Sequence, residues 1–314
     1  MRSPLAMLVA IAVAVAALAF AVSRLVSLSG AAPRGLAADQ ASYLGVYEKG
    51  PPDTYAPVAA FTAMAAKQPN LVGYYGGWGE AFKTSFAQTV RDHGATTLLQ
   101  WDPTDVPVAK IASGTYDGYL RSFASSVRAF GHPVVIGFGH EMNAYWYSWS
   151  YGHTEPAAFV AAWRHIVTLF RAAGATNVTW LWTLQADERG TGPIGSWWPG
   201  SKYVTWVGVD GYYFYPYEKF ADVFGQTIAQ VRMLTGAPVL LSETGVGPQA
   251  APGAQAAKVT DLFNGMRHYG TLGLVYFDIV QNQGVYHQDW RLEDNASAEA
   301  AFRRGASAMS LARP

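Results

Sequence analysis

From Ala38 onward two kinds of segment alternate: short runs dense in β-branched and aromatic residues, and longer Ala-rich stretches with polar positions interspersed. That alternation argues for parallel β/α units rather than a sandwich. The strand-like runs are Tyr43-Tyr47, Leu71-Tyr75, Thr96-Trp101, Val134-His140, Val178-Thr183, Trp206-Tyr212, Val239-Ser242 and Leu272-Phe277. Helices are predicted over Pro57-Lys67, Ala81-His93, Asp117-Phe130, Pro156-Ala173, Lys219-Leu234 and Ala254-His268, with a last one near Ala296-Met309. The link between the fifth and sixth runs reads as a loop. Eight such units suit one α/β domain, a single (β/α)8 TIM barrel, whose usual length is about 250 residues.

The barrel is assigned to residues 38–314, with no linker, low-complexity tract or second domain within it. Residues 1–37 are set apart. Arg2 precedes an unbroken apolar stretch from Leu5 to Val22, followed by Ser23, Arg24 and the small-residue segment Ser29 to Pro33. This is the pattern of an export signal, at the lower limit of length for crossing a bilayer. It predicts either a cleaved signal peptide or a retained signal-anchor. The rest of the chain is then exported, and is either secreted or tethered at the outer face of the cytoplasmic membrane.

Composition narrows the function more by exclusion than by suggestion. Lys+Arg and Asp+Glu balance at 22 each, which removes the electrostatic reason to expect nucleic acid as a partner. Without cysteine there is no disulfide, thiolate metal site, cysteine nucleophile or lipidated cysteine. The seven histidines form no tight ligand pattern, so neither metal nor cofactor is expected; His287 with Asp289 reads as a loop hydrogen bond rather than an ion site. A monomer is expected. The 11 Trp and 18 Tyr suit a core, and equally suit flat ligands such as sugar rings.

In a (β/α)8 barrel the site is built where strands end and the following loops begin. Those ends read Tyr47-Glu48, Tyr75-Gly76-Gly77-Trp78, Trp101-Asp102-Pro103, His140-Glu141-Met142-Asn143, Trp182-Thr183, Asp210-Gly211-Tyr212-Tyr213, Ser242-Glu243-Thr244-Gly245 and Phe277-Asp278. Carboxylates and aromatics gather at one end of the barrel. Strands 4 and 7 lie across the mouth from each other, so Glu141 and Glu243 are placed to face one another. Retaining glycosidases need two carboxyl groups about 5–5.5 Å apart.

The run His140-Glu141-Met142-Asn143-Ala144-Tyr145-Trp146-Tyr147-Ser148-Trp149 resembles the signature of glycoside hydrolase family 26, a family of retaining (β/α)8-barrel β-mannanases, β-glucanases and β-xylanases. Trp198-Pro199-Gly200, Val207 to Tyr212, and Ser242 to Gly245 agree with it. The resemblance implies Glu141 as acid/base and Glu243 as nucleophile. It also implies support from His140, from Tyr212 donating its hydroxyl to Glu243, and from Asp210 orienting neighbours or touching substrate. Trp146 and Trp182 are the expected sugar platforms, with Trp101, Asp102, Trp149 and Trp198 as further substrate-binding candidates. Asn143 is placed either to bind a sugar hydroxyl or to cap the next turn.

Three departures from the family pattern bear on specificity. Asp102 stands where mannanases carry a histidine, which points toward glucan-cleaving branches. Gly137 stands where many members carry an arginine, and Ala144 replaces a glycine. The expectation is an endo-acting β-glycanase on a β-glucan or exopolysaccharide. A β-mannanase or β-xylanase of the same family is the first alternative, and a non-catalytic cell-surface glycan-binding barrel the second.

Overall fold

The computed structural model describes residues 36–186, 191–282 and 287–313. The apolar stretch expected to act in export lies outside these residues. Among the described residues no helix is long and apolar enough to cross a membrane.

Eight parallel strands close into a barrel in chain order: β1 Tyr43–Tyr47, β2 Leu71–Gly77, β3 Thr96–Asp102, β4 Val134–Phe138, β5 Val178–Gln185, β6 Trp206–Tyr213, β7 Val239–Val246 and β8 Gly273–Phe277. Closure comes from β8 pairing with β1 from Tyr43↔Gly273 to Tyr47↔Phe277. Around it run α1 Ala56–Ala65, α2 Thr84–Asp92, α3 Val108–Ala112, α4 Asp117–Phe130, α5 Pro156–Ala172, α6 Gln226–Leu234, α7 Ala254–His268 and α8 Ala296–Ser307. Local chemistry sets several of their ends. Prolines open α1 and α5, where the missing N–H would have had no partner. Gly131 closes α4 in the left-handed region at φ 71°, and the Asn295 side chain accepts the first free N–H groups of α8.

Each expected strand is present. The predicted helix over Lys219-Leu234 divides into a π-helical turn, Ala221–Gly225, and α6. The β5–β6 link carries a short 3-10 turn, Ile194–Trp197. Two elements had no counterpart in the reading of the sequence: α3, and a small hairpin of β9 Val280–Gln281 with β10 Gln288–Asp289.

Alternating side chains on the strands divide the core in two. Tyr43, Tyr47, Leu71, Leu98, Val135, Leu181, Trp206, Leu240 and Val275 fill the barrel interior. Their neighbours, Leu44, Val72, Leu99, Ile136, Trp182, Val207 and Leu241 among them, face outward into the layer under the helices. Strand β7 breaks this alternation. Gly208 pairs with Leu240 but Asp210 pairs with Glu243, so β7 holds one residue more than its partner, and the same slip recurs against β8. A bulge of this kind re-aims the side chains beyond it. It lets Ser242 and Glu243, consecutive in sequence, both engage groups of the barrel mouth.

Candidate active site

The strand ends converge on a cavity of about 370 Å³ lined by Tyr75, Asp102, His140, Glu141, Trp146, Tyr147, Gln185, Tyr212, Glu243, Phe277 and Gln281. Glu141 and Glu243 are 6% and 5% exposed, and with the fully buried Asp210 they each place a carboxyl oxygen within 4.8 Å of the others. Three carboxylates this close cannot all be charged.

The groups around them decide where the charge rests. Glu243 accepts a hydrogen bond on each oxygen, from the Tyr75 hydroxyl on Oε1 and from the Tyr212 hydroxyl on Oε2, the latter at 2.7 Å. Glu141 accepts the indole N–H of Trp146 on Oε2 at 2.8 Å. Burial raises the pKa of Glu141 to about 7; the field of Glu243 adds to the rise, while His140 and the Trp146 indole oppose it. Burial also raises Glu243 above the ordinary carboxylate range, against His140 and the two phenols, which favour its charged form. Asp210 is raised further by burial and by both glutamates, with Ser242 donating to its Oδ1. The two phenol donors therefore favour the negative charge on Glu243, while burial favours the protonated forms of Glu141 and Asp210.

By distance alone the three carboxylates could ligate a cation. Hydroxyl donors already engage both oxygens of Glu243, from Tyr75 and Tyr212, while one oxygen each of Glu141 and Asp210 takes a hydrogen bond from Trp146 and Ser242.

His140 sits at the edge of this cluster. Its Nδ1 is 2.8 Å from Asp102 Oδ1, its Nε2 is 3.1 Å from the Tyr147 hydroxyl, and its carbonyl accepts the Trp149 indole N–H. Burial disfavours the imidazolium, but the charges of Asp102, Glu141 and Glu243 outweigh it and raise His140 to about 9. Glu141 itself has a left-handed backbone, φ 52°, which is uncommon for a residue with a Cβ and recurs at functional sites held by their surroundings.

Residues 116–305 match the model of Glycosyl hydrolase family 26. The chain belongs to this family. Among curated relatives, it is 26% identical over 270 residues to endoglucanase H of Acetivibrio thermocellus, a match covering 81% of this chain and 29% of that protein. It is 27% identical over 138 residues to β-1,3-xylanase TXYA of a Vibrio species, covering 43% of this chain and 28% of the other. The chain thus matches under a third of the length of either relative. Among solved structures, a family 26 endo-β-1,4-mannanase catalytic domain from Bacillus sp. JAMB-750 superposes with TM-score 0.64 at 14% identity, covering 86% of this chain and 87% of that one. A β-mannanase from a symbiotic protist of the termite Reticulitermes speratus gives 0.63 at 14% identity, covering 90% and 95%. At these identities the structures share the fold.

Against the residues expected from the family 26 signature, the cavity holds Glu141, Glu243, His140, Tyr212, Asp102 and Trp146. Several candidates for substrate binding are displaced from it. Trp101 is fully buried outside the barrel, stacked on Phe123 at 4.4 Å and on Trp78 at 5.0 Å. Trp182 is equally buried in the outer layer, with Trp198 packed edge-on against it at 5.0 Å. Neither Trp101 nor Trp182 can meet a sugar, and Trp198 props Trp182 instead of lining the cleft. Trp149 lies beneath Tyr147, their rings parallel at 4.4 Å, so Tyr147 holds the cavity wall that Trp149 was expected to supply. Asn143 spends its amide on the backbone of Gln185, accepting from N and donating to O, and touches no part of the catalytic cavity. Asp289 is held by the Arg291 guanidinium at 2.8 Å rather than by His287.

Gly137 has a steric reason. A Cβ there would lie 2.0 Å from Oε1 of Gln100, whose amide fills the space and donates to Thr183. Tyr75, Tyr147, Gln185, Phe277 and Gln281 were missed as site residues. Tyr75 and Phe277 stand at strand ends, the one signal that pointed to them; Tyr147 is placed by the loop after β4, Gln185 by β5 running two residues past Thr183, and Gln281 by the β9–β10 hairpin.

Proposed function

We propose that this chain is a retaining glycoside hydrolase that cleaves a β-linked polysaccharide by double displacement. Glu243 attacks the anomeric carbon through a carboxylate oxygen while Glu141 gives its proton to the leaving glycosidic oxygen, breaking the C–O bond. Glu141, now ionised, then takes a proton from water whose oxygen displaces Glu243 from the anomeric carbon. The observation that carries this reading is the unequal treatment of two glutamates within 4.8 Å: two phenol donors on Glu243 against one indole on Glu141. The short separation favours retention, since inverting enzymes hold their carboxyl groups about 6.5–9.5 Å apart to admit water.

Endo attack on a β-glucan is the favoured specificity, supported by the relative described as an endoglucanase and by Asp102 facing the cleft. One oxygen of Asp102 is committed to His140, leaving Oδ2 for a sugar hydroxyl. A β-mannanase or β-xylanase remains the alternative within the family, the latter in keeping with the relative described as a β-1,3-xylanase. The apolar stretch from Leu5 to Val22 supports action outside the cytoplasm, as a secreted or membrane-tethered protein. Hydrolysis of mixed-linkage glucan, mannan and xylan, followed by NMR of the first-formed anomer, tests the proposal. Release of the β-anomer, abolished in Glu243→Gln, is expected; first formation of the α-anomer refutes retention, and glycan binding without reducing ends from any polymer favours the non-catalytic barrel.

A further inference from the structure

Below the catalytic carboxylates the barrel has a polar floor. Tyr47 of β1, Gln100 of β3, Thr183 of β5 and Ser242 of β7 point inward, and the strand register sets them in one layer of the interior. Alternate strands build each layer of such a barrel, usually from branched aliphatic side chains. Here all four residues carry a hydroxyl or an amide, and all are fully buried. Gly73, Gly137 and Gly208 on the strands between leave the room: a Cβ on them would lie 2.3 Å from the Tyr47 ring, 2.0 Å from Gln100 Oε1 and 2.4 Å from Ser242 Oγ, respectively.

Gln100 links the layer together. Its Nε2 donates to Thr183 Oγ1 at 3.0 Å. Its amide is also in polar contact with the Tyr47 hydroxyl, which no described group engages in a well-aligned hydrogen bond. Gln100 Oε1 accepts none from any described residue. Buried polar atoms left unmatched lower stability, so aliphatic side chains would serve packing better at this level. What the layer touches is the catalytic machinery. The Tyr47 ring stacks on Tyr75 at 4.9 Å, and Tyr75 is the phenol that donates to Glu243 Oε1. The Thr183 carbonyl accepts the backbone N–H of Glu141 at 3.0 Å, and Ser242 donates to Asp210.

We infer that Gln100 is a positioning residue for the glycosidase chemistry: anchored on Thr183, it fixes the Tyr47 ring and through it the Tyr75 phenol that holds Glu243. Gln100 itself lies below the reacting atoms and acts only through these neighbours. The inference rests on the glycoside hydrolase reading and deepens it. The other ionisable groups facing Glu243 are Glu141, Asp210, His140, Asp102 and Tyr212. All are retained in the variants below, so a change in the protonation of Glu243 reports on its Tyr75 donor.

Measurement of kcat, KM and the pH–rate profile on whichever of mixed-linkage glucan, mannan and xylan the parent cleaves, together with melting temperatures, tests this role. Gln100→Met keeps the volume and removes the amide. It is expected to lower kcat/KM about tenfold, chiefly in kcat, and to move the acid limb up by about half a pH unit, because a misplaced Tyr75 favours charged Glu243 less. Thr183→Val, which removes the anchor, is expected to act in the same direction by about threefold, and Thr183→Ser to keep the parent's values. In the Tyr75→Phe protein, Gln100→Met should move the acid limb no further. A folded Gln100→Met with the parent's acid limb, or an equal shift with and without the Tyr75 hydroxyl, overturns the inference and leaves the hydrolase reading intact. Should Gln100→Met fail to fold, identical acid limbs in Thr183→Val and Thr183→Ser overturn it. A parent that cleaves none of the three polymers overturns both.

Discussion

Glu141 and Glu243 face the same cavity from opposite kinds of support. Glu243 sits within strand β7, turned inward by a bulge and gripped on both oxygens by phenols from β2 and β6. Glu141 begins a loop, in a left-handed backbone conformation, and takes one hydrogen bond from an indole on that same loop. The rigid, doubly hydrogen-bonded position suits a group that must stay charged at a fixed point. The looser position suits a group that gains and loses a proton in each cycle.

If that division is correct, substitutions should separate the two sides. Glu243→Gln is expected to have the largest effect, a fall in kcat beyond the range of about 10²–10⁴ that general acid–base catalysis supplies, whatever the leaving group. Glu141→Gln should fall within that range on polysaccharide and lose much less on aryl glycosides, whose phenolate leaves without a proton; equal losses on both substrates would dissolve the distinction. Tyr75→Phe and Tyr212→Phe each remove a hydrogen bond to a charged group, about 1.5–3 kcal/mol, so kcat/KM should drop roughly 10- to 150-fold. Their absence raises the pKa of Glu243, so the acid limb of the pH–rate profile should move to higher pH.

On the other side the effects are smaller and concern the opposite limb. Activity of the unaltered protein should decline as pH rises through about 7, where Glu141 loses the proton it donates. Trp146→Phe removes a donor that favours ionised Glu141, so this limb should shift upward in pH while kcat changes less than about tenfold. Trp182→Phe serves as the control: a residue sealed under the helices should leave KM unchanged and register only as a lower melting temperature. A clear rise in KM there would mean that the barrel mouth is arranged differently.

The aromatic residues show where reading the sequence stops. Trp101, Trp182 and Tyr75 all lie at or near the ends of apolar runs, yet Trp101 and Trp182 point out to the helices and Tyr75 points into the cleft. A strand of a parallel barrel is buried on both faces, so its sequence lacks the polar–apolar alternation that would tell inside from outside. Asp102 was correctly placed at the mouth, but its bond to His140 depends on a contact between residues 38 positions apart.

The sequence alone determined the eight-unit barrel, its family and the two glutamates that follow the fourth and seventh apolar runs, because apolar runs and a contiguous motif are local properties. Tertiary structure decided which aromatics meet the cavity, that a side chain at Gly137 would have to displace the Gln100 amide, and how Glu243 faces inward one residue after Ser242. Those depend on strand facing, a bulge and packing between distant segments, which local residue patterns do not encode.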